Sequence, residues 1–147
     1  FLVIGDFDYS NPSCISKEEI DYWQEKNIIE FLGYRRDISL ILSKCHIFCL
    51  PSYYGEGMPK VLLEAAAAGR AIITTSNPGC REAIIENKTG LLIPPKNHIK
   101  LANTIIYLLE NKDICNSMGF EGRKLAEKEY SLNLVVDKHI EIFNKLN

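Results

Sequence analysis

At 147 residues the chain is about one domain long, and a domain of that size buries roughly two thirds of its unfolded surface, enough for a core of its own. It is 46% hydrophobic and 24% charged with a formal net charge of -2, so it lacks the basic excess of a nucleic-acid binder and must hold any anionic ligand by local geometry. Five cysteines, at 14, 45, 49, 80 and 115, form no CxxC pair and no zinc-like spacing with histidine; the odd count is a poor disulfide framework and points to a reducing, cytosolic compartment.

The chain opens on FLVIGDFD, an apolar run without a methionine or a leader, and reads as an internal cut in a longer protein. Short β-branched runs at 1–5, 28–32, 46–50, 71–74 and 91–93 read as buried strands. Between them 16–26, 37–44, 59–68 and 80–86 read as helices. That alternation predicts an α/β fold, a Rossmann-like parallel sheet with helices on both faces. The last third is helical throughout: apolar residues recur at helical period from Leu101 to Leu109 and again from Leu132 to Leu146, with Ser131 placed to cap the final helix. No apolar run reaches the ~20 residues of a membrane-spanning helix, so membrane contact is expected to be peripheral.

In open parallel sheets ligands bind beyond the carboxyl ends of the strands, where loops lead into helix N-termini. The stretch LPSYYGEGMPKVLLEAAAAGRAIITT lies at such a point. Gly55 and Gly57 give the loop access to positive φ and let a ligand approach the main chain. Pro59 suits a first helical position and Gly69 a C-terminal stop, while four consecutive alanines point to a close neighbour. The free N–H groups and dipole of such a helix favour a phosphate. Glu56 at its rim would meet a neutral hydroxyl-bearing group, and Glu64 would accept from two hydroxyls such as those of a ribose. The plain alternatives are a solvated loop carboxylate for Glu56 and an ion pair with Lys60 for Glu64.

The same residues, continued through SNPGCREAIIENKTGLLIPP and preceded by IIEFLGYRRDISLILSKCHIFCLPS, resemble the core signature of the family-4 glycosyltransferases, whose hallmark is Glu, seven residues, Glu. The resemblance covers nearly the whole chain. It implies one half of a GT-B fold: residues 1–147 would be the C-terminal nucleotide-sugar-binding domain, truncated at its N-terminal end, with the acceptor-binding domain absent. It further implies that Glu56 contacts the transferred sugar at the reacting centre and that Glu64 binds the ribose. Gly57, Met58, Lys60 and Val61 would lie along the sugar and diphosphate, and Gly33, Tyr34 and Arg35 along the base. Tyr34 also reads as a packing residue and Arg35 as a surface charge.

The family activity is transfer of a sugar with retention, with no divalent metal or other cofactor required. The donor is expected to be a UDP-sugar. The acceptor, a glycan or lipid-linked sugar of the kind used for bacterial surface polysaccharides, would be held by the missing domain, in the cytoplasm or at the inner face of the membrane. The cations that the family uses to neutralise the donor diphosphate fall outside the chain, so transfer by this piece alone is expected to be negligible.

Three rivals share the length or scaffold. A sugar-nucleotide epimerase would bind the same donor. A phospho-acceptor receiver domain needs more than Asp6 and Asp8, since Cys49-Leu50-Pro51 and Ile93-Pro94-Pro95 lack its other polar residues. A nicotinamide-dependent dehydrogenase needs the glycines that GDFDYS lacks. Elsewhere, Pro78 and Gly79 read as a turn, Glu82 as a candidate for the same cleft, Cys80 as a thiol at a helix start, and His46, His98 and His139 as structural.

Overall fold

The computed structural model describes residues 1–55 and 57–146. Two units divide the chain, Phe1–Ile38 and the remainder from Ser39. The predicted strands all appear, but in two ladders, β1-β2 and β3-β4-β5.

In the first unit β1 (Leu2–Val3) runs parallel to β2 (Glu30–Phe31), with Leu2 opposite Glu30 and Val3 opposite Phe31. Each strand is only two residues long, yet backbone bonds lengthen the pairing. Glu30 N–H donates to Phe1 O at 2.8 Å, and Leu32 N–H to Val3 O at 2.9 Å. The connecting helix α1 (Lys17–Glu25) starts where its sequence says it should: Ser16 Oγ accepts from Glu19 N–H while the Glu19 carboxylate accepts from Ser16 N–H.

In the second unit α2 (Ile38–Ser43), which begins on the last residue of the first, is followed by β3 (Ile47–Leu50), α3 (Lys60–Ala67), β4 (Ala71–Thr75) and β5 (Gly90–Ile93). All three strands are parallel, with Ile47 opposite Ala71 and Ile72 opposite Gly90. β4 lies in the centre and all five of its residues are buried, so both of its faces are covered. Ala71 and Ile73 pack with Ile93, Leu108, Cys115 and Met118, contributed by β5 and by α4 (His98–Glu110) and α5 (Lys112–Glu129). Fully buried aliphatics such as Leu62, Ile73 and Leu108 each contribute about 1.5–3 kcal/mol.

The alanine run has the neighbour its sequence implied. Ala65 and Ala66 are buried, and the site of a Cβ on Gly122 of α5 lies 3.8 Å from Ala66 Cα. The helix expected over 80–86 shrinks to a 3-10 turn, Arg81–Ala83. Ile84 is already extended at φ -131°, and Thr89 Oγ1 accepts the Ile85 N–H that a longer helix would have used internally.

The chain ends in α6 (Leu132–Leu146), where Leu134 N–H donates to Ser131 Oγ at 3.4 Å. Its apolar face, with Leu132, Ile140 and Phe143, is exposed. Among the described residues no helix is long and apolar enough to cross a membrane.

Candidate functional site

Because β3, β4 and β5 are parallel, their carboxyl ends at Leu50, Thr75 and Ile93 share one edge and deliver three loops to it, 51–59, 76–80 and 94–97. Side chains from the ends of the strands fasten the first loop where it leaves β3. Thr74 Oγ1 donates to Leu50 O at 2.9 Å and Thr75 Oγ1 to Ser52 O at 2.6 Å, and Asn77 Nδ2 reaches the same Ser52 carbonyl at 3.4 Å. Tyr53 and Tyr54 follow with ring centroids 4.4 Å apart and hydroxyls 3.0 Å apart. From the third loop the Lys96 ammonium sits over the Tyr53 ring, 4.6 Å from its centroid.

Beyond this anchor the loop opens. Glu56 lies outside the described residues. Among the described residues, chain neighbours aside, no atom comes within 4 Å of where a Cβ would stand on Gly55 or Gly57, which leaves the main chain accessible. Gly55 does not use the positive φ that its identity allows, unlike Gly33, Gly69 and Gly79, which are left-handed. Met58 is exposed, and Pro59 stands one position earlier than expected, as the N-cap of α3, with φ -64° and ψ 123°. Its carbonyl accepts from Leu62 N–H at 3.0 Å, and no side chain caps the first turn. The N–H groups of Lys60 and Val61 therefore open the helix without an intrahelical acceptor.

Glu64 lies one turn further on, 37% exposed, with Oε1 3.2 Å from Lys60 Nζ. This is the surface pair the helical spacing allowed. A side chain that keeps this much exposure and whose partner is an 87% exposed lysine retains capacity to accept hydrogen bonds from a ligand. In the first unit Gly33 has φ 63° and its carbonyl accepts from Gly5 N–H at 3.1 Å. Tyr34 is 68% exposed, so it is not a core residue. Arg35 is held by both oxygens of Asp37, Nε at 2.8 Å and Nη2 at 2.5 Å, and this partner raises its pKa further.

Cys80 is fully buried, so it offers no accessible thiol. Asp6 and Asp8 form an Asp-x-Asp step, and each carboxylate turns to a local donor, Phe7 N–H at 2.8 Å for Asp6 and Ser10 N–H at 3.2 Å for Asp8. No group of three metal-binding side chains is found among the described residues. Lys96, Asn77 and Thr75 were not singled out in the sequence. Each stands at the carboxyl end of a strand or just beyond it, so applying the edge rule to β4 and β5 as well as β3 would have found them.

Two grooves lie at the opposite edge, beside the residues that lead into β3, β4 and β5. One groove of about 330 Å³ is lined by His46, Arg70, Cys115 and Arg123, and one of about 350 Å³ by Asn87, Lys88, Asp113 and Glu121. Four of their charged side chains, Arg70, Arg123, Lys88 and Glu121, are engaged in the fold. Arg70 donates to Ala68 O and Cys45 O, Arg123 to Ala67 O, and Glu121 pairs with Lys88 and Lys124, which lower its pKa.

Residues 2–125 match the family described as glycosyl transferases group 1. The chain belongs to this family. It is 34% identical over 146 residues, 99% of its own length, to the N,N'-diacetylbacillosaminyl-diphospho-undecaprenol alpha-1,3-N-acetylgalactosaminyltransferase of Campylobacter jejuni. It is 25% identical, over 97% of its length, to the capsular polysaccharide biosynthesis glycosyltransferase CapM of Staphylococcus aureus. The chain spans 37% of either relative. Its fold is shared with Anabaena Alr3699/HepE, solved in complex with UDP, at a TM-score of 0.89 and 20% identity over 98% of this chain and 40% of that one. All the residues placed above fall within the segment that matches the group 1 glycosyltransferases, whereas α6 lies beyond it.

Proposed function

We propose that this chain is the donor-binding part of a retaining glycosyltransferase, which moves a sugar from a UDP-sugar to a glycan or lipid-linked acceptor in the assembly of a bacterial surface polysaccharide. The observation that carries the reading is Glu64, partly exposed on α3 beside an open glycine loop at the carboxyl edge of a parallel ladder. The names of the relatives support the acceptor class, since the Campylobacter enzyme acts on a diphospho-undecaprenol-linked sugar. Alr3699/HepE, solved with UDP and with UDP-glucose, supports the donor class.

In this reading Glu64 leaves Lys60 and accepts from the ribose hydroxyls. Gly57, Met58, Lys60 and Val61 lie along the sugar and diphosphate, where the uncapped first turn of α3 offsets the charge that develops on the leaving group. Glu56 positions the transferred sugar and stabilises an oxocarbenium-like transition state. Gly33, Tyr34 and Arg35 keep, in the first unit, the base-contacting role that the resemblance gives them. No metal or cofactor takes part, and the reaction belongs in the cytoplasm or at the inner face of the membrane, with the acceptor held by a second domain.

Titration of the chain with UDP, UDP-sugars, GDP-mannose and ADP tests this. Saturable binding of one nucleotide, weakened about tenfold or more by Glu64→Ala, is expected; that factor is about 1.4 kcal/mol, the size of a hydrogen bond to a charged group. Glu56→Ala should matter only when the sugar is attached. Binding indifferent to Glu64→Ala would overturn the assignment.

A further inference from the structure

Lys96 occupies a backbone position that does not suit a lysine. It follows Pro95 with φ 59°, the left-handed region that the third residue of a type II turn requires and that glycine or asparagine usually fills. Lys96 is exposed, yet its ammonium reaches across to the neighbouring loop and sits over the Tyr53 ring. Tyr53 in turn packs on Tyr54, and the residue before it, Ser52, is fastened through its carbonyl to Thr75 and Asn77. The loop 51–59 is thus held on its β3 side by groups from β4 and by one cation from the loop after β5. Between Tyr54 and the N-cap Pro59 stand Gly55, Glu56, Gly57 and Met58, and no neighbour crowds either glycine.

We propose that Lys96 is a positioning residue: it clamps Tyr53 and thereby fixes the start of the loop that joins β3 to α3. The inference rests on the donor-site reading for its functional consequence, but the clamp itself does not. Three side chains act on two adjacent residues of the loop, Thr75 and Asn77 on the Ser52 carbonyl and Lys96 on the Tyr53 ring. A turn residue chosen for its backbone alone would be glycine, and lysine is justified only by what its side chain does.

The test exploits that distinction. Lys96→Gly relieves the turn while removing the cation, and Lys96→Arg keeps the cation. Chymotryptic cleavage after Tyr53 and Tyr54 reports opening of the loop, with cleavage after the exposed Tyr9 as the internal control. Lys96→Gly should leave the melting temperature unchanged or higher and yet speed cleavage at Tyr53 and Tyr54 about two- to fivefold, the size of an exposed cation–π contact. Lys96→Arg should restore the slow rate. In parallel titrations Lys96→Gly should weaken UDP-sugar binding by a similar factor and leave UDP alone within about twofold. Unchanged cleavage in Lys96→Gly, or equal acceleration in Lys96→Arg, would reduce Lys96 to a turn residue and overturn the clamp. A normal clamp in a chain that binds no nucleotide would instead sink the donor reading and leave the clamp standing. An accelerated loop with unchanged discrimination between UDP-sugar and UDP would overturn its role in positioning.

Discussion

At the amino ends of β3, β4 and β5 the backbone is packed so closely that a methyl group does not fit. A Cβ on Gly119 would stand 2.2 Å from Gly69 O and one on Gly90 2.4 Å from Ile72 O, while Arg70 and Arg123 close over carbonyls at the end of α3. At the carboxyl ends Gly55 and Gly57 have nothing within 4 Å, the first turn of α3 carries no side-chain cap, and Glu64 is partly exposed. One residue type thus serves opposite purposes at the two edges. At the sealed edge glycine lets elements of the protein approach one another, and at the open edge it leaves room for something else to approach.

The largest effect should come from forcing a side chain into the sealed edge. Gly119→Ala must displace backbone on α5 or on the turn after α3, since the atom in the way is a carbonyl oxygen rather than a flexible side chain. A loss of about 3 kcal/mol is expected, at the upper end of overpacking costs, read as a lower denaturation midpoint with unchanged slope. Nucleotide affinity of the folded fraction should be unaffected. A well-tolerated alanine would mean that the close approach of α5 is not built into the fold.

Midway between the two edges, β3 offers a pH probe. Burial pushes the Cys49 thiol up to about 12 from an ordinary 9.0. The folded state therefore holds its proton more tightly than the unfolded state, so the contribution is fully present below pH 9.0 and is lost as pH rises toward 12. Comparing the chain with Cys49→Ala removes the other alkaline titrations from the measurement. The stability difference between the two should be flat up to about pH 8 and then move against the native chain by about 1.4 kcal/mol by pH 10. A flat difference through pH 10 would mean that solvent reaches the thiol.

The alternation of elements was legible because it depends on local pattern: β-branched runs of four or five residues and amphipathic helices carry their own signal. The element that failed, over 80–86, is one where local composition looked helical but Ile84 is in extended backbone and Thr89 took the Ile85 N–H. Glu64 was legible as a site candidate, together with its Lys60 partner, because helical spacing and the family signature both involve near neighbours in sequence. The clamp was not legible. Tyr53, Thr75 and Lys96 meet only through strand order, and no reading of 51–59 alone reveals that its first carbonyls are spoken for by β4. The purpose of each glycine was equally hidden, since Gly119 and Gly55 differ only in what the fold brings next to them.

Loosening the open edge at its anchor should cost less than disturbing the sealed one. Thr75→Val keeps the shape of a fully buried residue and removes one donor, leaving Ser52 O to Asn77. A loss of about 1 kcal/mol in stability is expected, the net worth of one hydrogen bond, with faster cleavage at Tyr53 and Tyr54. A loss as large as that of Gly119→Ala would show that the anchor belongs to the core rather than to the loop.

The smallest effect on stability, and the sharpest contrast, belongs to Gly55→Ala. The backbone there is not left-handed and the added methyl meets no protein atom, so neither strain nor overpacking opposes it. Alanine also restricts the unfolded chain more than glycine, which stabilises slightly. The net change should stay within about 0.5 kcal/mol of zero, a small fraction of the Gly119→Ala loss for the same chemical change. If the open edge receives a donor, the cost reappears in binding, because the methyl occupies space on the approach to the main chain; UDP-sugar affinity should fall while the fold is untouched. Should Gly55→Ala leave both stability and UDP-sugar binding unchanged, openness at this edge would not be for the donor, and the contrast between the two edges would reduce to packing alone.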